Sequence, residues 1–154
     1  MNSGIVVSIN ITPNESEPLH SVNEIRALIG RGLEGDRYFN KTGMFSSKPK
    51  PGQEITLIEI EALEALQCDY NITLDLQESR RNIVTKGIAL NHLVGKDFSV
   101  GEVRLRGIRL CEPCSHLESL TKQGARQGLI HRGGLRADIL IEGVIHKGDS
   151  LQEL

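Results

Sequence analysis

FSVGEVRLRGIRLCEPC, residues Phe98 to Cys114, is the stretch whose reading decides the fold. Apolar residues alternate through it as they do on a half-buried strand: Phe98 and Val100, a break at Gly101, then Val103 and Leu105. The apolar set changes phase around Gly107 and resumes at Ile108 and Leu110, which predicts a bulge or bend. The run ends in Cys111-Glu-Pro-Cys114, two thiols separated by a proline-stiffened turn.

Outward from this stretch the pattern stays β-rich. Ile5 to Ile11 reads as a first strand, and 12–20 as a loop carrying Pro13, Asn14 and Pro18. Val22 to Leu28 fits strand or helix equally. Gly30, Gly32 and Gly35 punctuate a turn-rich segment that ends in Asp36-Arg37-Tyr38. Residues 40–52, with Lys41, Lys48, Lys50 and two prolines, read as a mobile surface loop. Glu54 to Ile58 reads as a strand, and Glu59 to Gln67 as an amphipathic helix with apolar residues at 60, 62, 63 and 66. Asn82 to Thr85 is predicted strand, and Ile88 to Val94 an apolar connection closed by Gly95. Beyond the cysteines come a short helix over His116 to Lys122, strands at Leu135–Ile141 and Val144–Ile145, a turn at Lys147–Asp149 and a final strand. About seven strands with one clear helix predict a mainly β chain with minor α, a β-barrel-like single domain over 1–154.

Composition excludes several classes. With a net charge of −2 and only 3% aromatic residues, the chain offers neither a basic face nor stacking platforms, so no nucleic-acid partner is expected. No stretch approaches the ~18 apolar residues of a membrane span, and the start lacks the basic and apolar regions of a signal peptide. The expectation is a cytoplasmic protein with no membrane partner, in which the three cysteines stay reduced.

In that setting a CxxC is a soft metal ligand, a persulfide carrier or a redox pair, set against the plainer reading of two small core residues. A structural zinc site needs four ligands, and Cys68, His116, His131 and His146 make no matching pair. A thioredoxin-like site places its CxxC after an early strand at the start of a long helix; this one comes late, before glycine-rich β segments.

Three other segments carry candidate binding groups. Gly32-Leu-Glu-Gly-Asp36-Arg37 offers a guanidinium fork on a glycine-lined turn. Ser79-Arg-Arg81-Asn82 sets two guanidiniums before an amide that can both donate and accept. His131-Arg132-Gly-Gly134 is a flexible basic turn. Each alone is compatible with an ordinary solvated turn or strand edge.

Taken in order, GLEGDR, RRNIVTKGIAL, LVGKDFSVGEVRL, CEPC, RGGLRADIL and GVIHKGDSL resemble the MOSC domain family, the C-terminal domain of molybdenum-cofactor sulfurases. The resemblance covers nearly the whole chain. It implies a MOSC-type β-barrel-like fold that binds the molybdenum cofactor (molybdopterin) and/or carries sulfur for its maturation. It implies that Cys114 ligates molybdenum or holds a persulfide, with Cys111 tuning or resolving it. Arg37 and the Arg81-Asn82 pair are then expected at the anionic pterin, with Asp36 and Arg132 beside them. The chain is read as a standalone member without a pyridoxal-phosphate site of its own. Its expected partner is a separate pyridoxal-phosphate cysteine desulfurase or a cofactor-accepting enzyme. Two other readings remain: a molybdenum-dependent reductase of N-hydroxylated compounds served by a separate electron donor, and a non-enzymatic CxxC thiol or zinc protein.

Overall fold

The computed structural model describes residues 2–14, 16–39, 51–113 and 115–154, with backbone alone at 115 and 116. Cys114 and positions 40–50 of the expected surface loop lie outside the described residues.

Eleven strands are present among them: β1 (Ser3–Ile11), β2 (His20–Val22), β3 (Glu24–Leu28), β4 (Gly32–Leu33), β5 (Ile55–Glu59), β6 (Ile83–Lys86), β7 (Asp97–Val100), β8 (Val103–Leu110), β9 (Leu135–Ile141), β10 (Gly143–His146) and β11 (Ser150–Glu153). Seven of them close a barrel in the order β1-β11-β7-β8-β9-β5-β6, and β6 returns to β1. β2 extends the sheet beside β1, and β10, β3 and β4 form a separate three-stranded sheet. Val22 to Leu28, undecided by pattern, is therefore strand on both sides of Asn23.

All barrel neighbours are antiparallel except β5 and β6. A parallel pair needs a crossover rather than a hairpin. The chain supplies it with helix α1 (Ile60–Tyr70) and a 3-10 turn at Leu76–Ser79. Helices α2 (Ser115–Leu120) and α3 (Ala125–Gly128) follow β8. No helix of the described residues is long and apolar enough to cross a membrane.

Strand alternation sorts the core into two layers. Ile9, Ile55, Leu57, Ile83, Phe98, Leu105 and Leu135 fill the barrel. Ile58 and Val84, at the intervening positions of β5 and β6, pack outward under Ala62, Leu63 and Leu66 of α1. The phase change read at Gly107 is real: the β8–β9 register shifts between Gly107 and Arg109. Gly107 also exchanges backbone hydrogen bonds with the 94–96 segment, receiving Gly95 N–H at 2.8 Å and donating to Lys96 at 3.0 Å.

That close approach needs glycine for space, not for backbone angle. A Cβ at Gly107 would press on the Leu93 carbonyl oxygen, with the Leu93 carbonyl carbon 2.8 Å away. At Gly30 the reverse holds: φ is +76° and nothing lies within 4 Å of the added atom. Gly107→Ala is therefore expected to lose about 2–4 kcal/mol by backbone clash, against roughly 1 kcal/mol for Gly30→Ala by backbone strain alone. Urea unfolding of the two variants checks the order.

Candidate functional site

The crossover between β5 and β6 delivers the Arg80-Arg81-Asn82 run to the start of β6, directly beside Thr56. Asn82 is fully buried, and its amide is consumed there. Its Oδ1 accepts from Thr56 N–H at 3.0 Å and Thr56 Oγ1 at 3.1 Å, while Nδ2 donates to the Asn10 carbonyl at 3.1 Å. Asn10, also fully buried, donates its own Nδ2 to the carbonyls of Leu76 and Arg81 at 3.3 and 3.4 Å. Ser8 and Ser21 hydroxyls satisfy Asn10 Oδ1. Three strands are thus laced by side chains on the face away from the barrel interior. Asn82 acts as a strut that fixes the backbone of its neighbours, and its amide has no donor or acceptor left over for a ligand.

Asp36 and Arg37 join this network from the turn after β4. Asp36 is fully buried and accepts from Thr12 N–H at 3.2 Å and Tyr38 N–H at 3.4 Å. Burial pushes its carboxyl above the ordinary value, against the opposing pull of the Arg37 charge and its hydrogen-bond donors, Asn82 among them. Arg37 contacts Asp36 at 3.4 Å and donates to the Arg80 carbonyl at 2.9 Å. Its guanidinium lies 4.5 Å from the Tyr38 ring centroid.

Arg80 sits in the left-handed region at φ +60° and donates to the Glu17 carbonyl at 2.8 Å. Burial lowers its pKa, and the Arg37 and Arg81 charges lower it further.

Arg81 makes the connection to the cysteine segment. Its Nε donates to the Gly133 carbonyl at 2.7 Å and its Nη2 to the Cys111 carbonyl at 3.1 Å. The side chain is 7% exposed, yet among the described residues no carboxylate pairs with it. Cys111 N–H in turn donates to the Gly134 carbonyl at 2.7 Å. Gly134, at φ +117°, passes so close to the Leu57 carbonyl that a Cβ would collide with it. Cys111 itself is buried, a free thiol packed inside.

The structure therefore brings together Asp36, Arg37, Arg81, Asn82 and the backbone of Cys111. It does not bring in Arg132. That guanidinium donates to the Gly128 carbonyl at 3.1 Å and to Asp69 at 3.2 Å, at the end of α1. Cys114 is outside the described residues. Among the described residues no group of three His, Cys, Asp or Glu side chains is placed to hold a metal ion.

Sequence reading missed Asn10 and Thr56, which hold the site in place. Asn10 had a usable signal, since a polar residue inside an Ile-rich strand needs a partner. It also missed Glu54, 7% exposed, whose Oε1 accepts from Gly30 N–H at 3.0 Å and Ile139 N–H at 3.2 Å. Burial first, and the neighbouring Asp138 carboxylate as well, push Glu54 up to about 7 against those two donors.

The MOSC domain model matches residues 45–152, and the chain belongs to that family. Its fold is similar to that of the YuaD protein from Bacillus subtilis, with a TM-score of 0.78 at 15% identity over 98% of this chain and 95% of that one. YiiM from Geobacillus stearothermophilus gives 0.73 at 16% identity, covering 99% of this chain and 75% of its own. YiiM from Escherichia coli gives 0.68 at 16% identity, covering 97% and 69%. Identities this low speak for the fold alone. Among curated proteins no sequence matches the chain significantly.

Glu54 carries a pH signature. It titrates near 4.5 in the unfolded chain and about 7 in the folded one, so the folded state holds the extra proton between those values. Its contribution is full below pH 4.5 and is lost as pH rises through 7, on the order of 3 kcal/mol for the whole shift. Thermal unfolding from pH 5 to 8 is expected to show a falling midpoint, and Glu54→Gln to flatten the slope. Some slope should survive from Asp36 and Glu59, whose carboxyls burial also raises.

Proposed function

We propose that this chain binds a molybdenum cofactor or carries sulfur for its maturation, at the site where Arg37, Arg81 and the CxxC segment meet. The observation that carries the reading is Arg81: a nearly buried guanidinium whose partners among the described residues are neutral carbonyls, one of them that of Cys111. A cation held in this way is poorly compensated, and an anion arriving beside it completes the electrostatics.

The donor chemistry fits the anionic end of a molybdopterin. Arg37 and Arg81 are forks suited to a phosphate, and Asn82 with Asn10 and Thr56 keeps the backbone between them rigid. Cys114 supplies the sulfur, as a ligand or as a carried persulfide, and the buried Cys111 anchors the segment that presents it. When bound, the cofactor would supply a molybdenum centre capable of redox and sulfur-transfer chemistry. The roles of the chain itself are to fix the anion, to present a thiolate and to hold the two in register through Arg81. Its sulfur donor or cofactor acceptor is a separate protein, a pyridoxal-phosphate cysteine desulfurase being the donor of matching chemistry.

The test is molybdenum content by elemental mass spectrometry with pterin fluorescence on the same sample, from a host that makes the cofactor. Stoichiometric metal and pterin are expected in the wild-type protein and absent from Cys114→Ser. Arg81→Met, confirmed folded by circular dichroism, is expected to lower retention about tenfold or more, the scale of one charge-assisted hydrogen bond. Wild-type protein that retains no molybdenum and also takes up no persulfide would overturn the proposal.

A further inference from the structure

β8 and β9 carry two guanidiniums that the contacts of Arg81 do not involve. Gly107 of β8 is opposite Ala137, and an unbroken register would set Arg109 opposite Leu135, whose side chain fills the barrel. The extra residue of the bulge, Ile108, sets Arg109 opposite Arg136 instead and returns Leu110 to Leu135. Arg109 and Arg136 therefore share the outer face of the barrel, where Arg136 is also opposite Thr56. Like charges in direct register weaken an antiparallel pair, and bulges are places where a strand re-aims a side chain.

Both guanidiniums rest on one piece of backbone. Arg109 Nη1 donates to the Pro51 carbonyl at 2.8 Å, and Arg136 Nη1 to the Gly52 carbonyl at 3.4 Å. A Cβ at Gly52 would lie 2.6 Å from Arg109 Nη1 and 3.4 Å from Arg136 Cβ, so the backbone there is pressed against both side chains. The Arg136 guanidinium lies 6.0 Å from the centroid of the Tyr38 ring, which Arg37 approaches at 4.5 Å. An aromatic ring attracts cations, so Tyr38 joins the pair to Arg37. Asp138, two residues along β9 from Arg136, accepts Gly52 N–H at 2.8 Å. Arg109 is exposed, and among the described residues no carboxylate pairs with it. Neutral carbonyls orient such a fork without cancelling its charge.

We propose that Arg109 and Arg136 form a binding site for a phosphate monoester on the outer face of the barrel. A phosphate near its dianionic form offsets the repulsion of two facing guanidiniums and accepts from both forks, whereas a carboxylate neutralises only one of the two charges. The Pro51 and Gly52 carbonyls hold the forks in place before the ligand arrives, which lowers the ordering cost of binding. The phosphate belongs either to the cofactor proposed above or to a separate small ester, and the same two forks hold it in both cases.

The test titrates inorganic phosphate into the cofactor-free full chain near neutral pH. ¹H–¹⁵N spectra follow the arginine Nε–H signals and the Gly52 amide, each arginine signal being assigned by its own variant. Phosphate is expected to move the Arg109, Arg136 and Gly52 signals along one binding curve, and sodium chloride of equal ionic strength to leave them in place. Arg109→Gln and Arg136→Gln are each expected to weaken that curve about tenfold or more, the scale of one charge-assisted hydrogen bond. Arg136→Lys, which keeps the charge and loses the fork, is expected to recover only part of it. Signals that follow chloride equally, or phosphate shifts at Arg37 and Arg81 with Arg109 and Arg136 unmoved, would overturn the inference. Repeating the titration on cofactor-loaded protein separates the two sources: a lost response assigns the site to the cofactor's phosphate, and a retained response to a separate ester. A chain that loads no cofactor yet shows the Arg109–Arg136 response would fault the cofactor reading alone.

Discussion

The barrel exists because the two ends of the chain pair with each other. Ser3, Gly4 and Ile5 of β1 lie opposite Gln152, Leu151 and Ser150 of β11, and this antiparallel contact turns an open sheet into a closed one. Closure removes two strand edges and encloses an apolar interior reaching from Val6 to Leu151. It also fixes the one irregular demand of the topology, the parallel step from β5 to β6. A crossover must leave the barrel there and return beside its own origin. The return point is Arg80-Arg81-Asn82, so the candidate site stands where the crossover rejoins the sheet.

At that junction the sheet is sewn by polar side chains instead of apolar ones. Asn10, Thr56 and Asn82 are at most 1% exposed, and their partners are one another, neighbouring backbone and, for Asn10 Oδ1, the Ser8 and Ser21 hydroxyls. A fully satisfied network of this kind adds little net stability over an apolar core of equal volume, but it tolerates few alternative arrangements. It gives the adjoining guanidiniums a fixed base. Arg81 then carries that order across to Gly133 and Cys111, so the cysteine segment inherits its position from β6 as well as from β8.

Much of the fold was legible because strand alternation is written into the residues. The Phe98–Leu110 hairpin, its irregularity near Gly107, the β5–α1 boundary and the β9–β11 run all follow from period and punctuation. The ambiguous Val22–Leu28 segment was not, since Val22, Ile25, Ala27 and Leu28 satisfy either period; pairing of β3 with β10 decided it. The basic residues of the candidate site stood out in the sequence, and its scaffolding did not. Arg37 and Arg81 stand in short marked motifs, whereas the use of Asn82 as a strut depends on Asn10 and Thr56, far away in the chain. The placement of Arg132 turned on Asp69, at the end of a helix whose facing could not be read from the basic turn alone.

Three non-glycine residues of the described chain have a positive φ: Asn71, Arg80 and His131. Asn71 ends α1, where asparagine is an ordinary left-handed cap. Arg80 likewise caps the Leu76–Ser79 turn while His131 stands in a loop, and arginine and histidine each lose on the order of 1 kcal/mol in this conformation relative to glycine. Both stand next to the groups that join the cationic residues to the cysteine segment, one before Arg81 and the other two positions before Gly133. Arg80 N–H donates to the Gln77 carbonyl of the turn before it, whereas His131 is held by side chains from two other segments, Glu112 and Asn91. Glycine would relieve the strain at either position but would remove a side chain. The cost is therefore tied to the guanidinium and the imidazole themselves, and both strained residues flank the two segments that Arg81 connects.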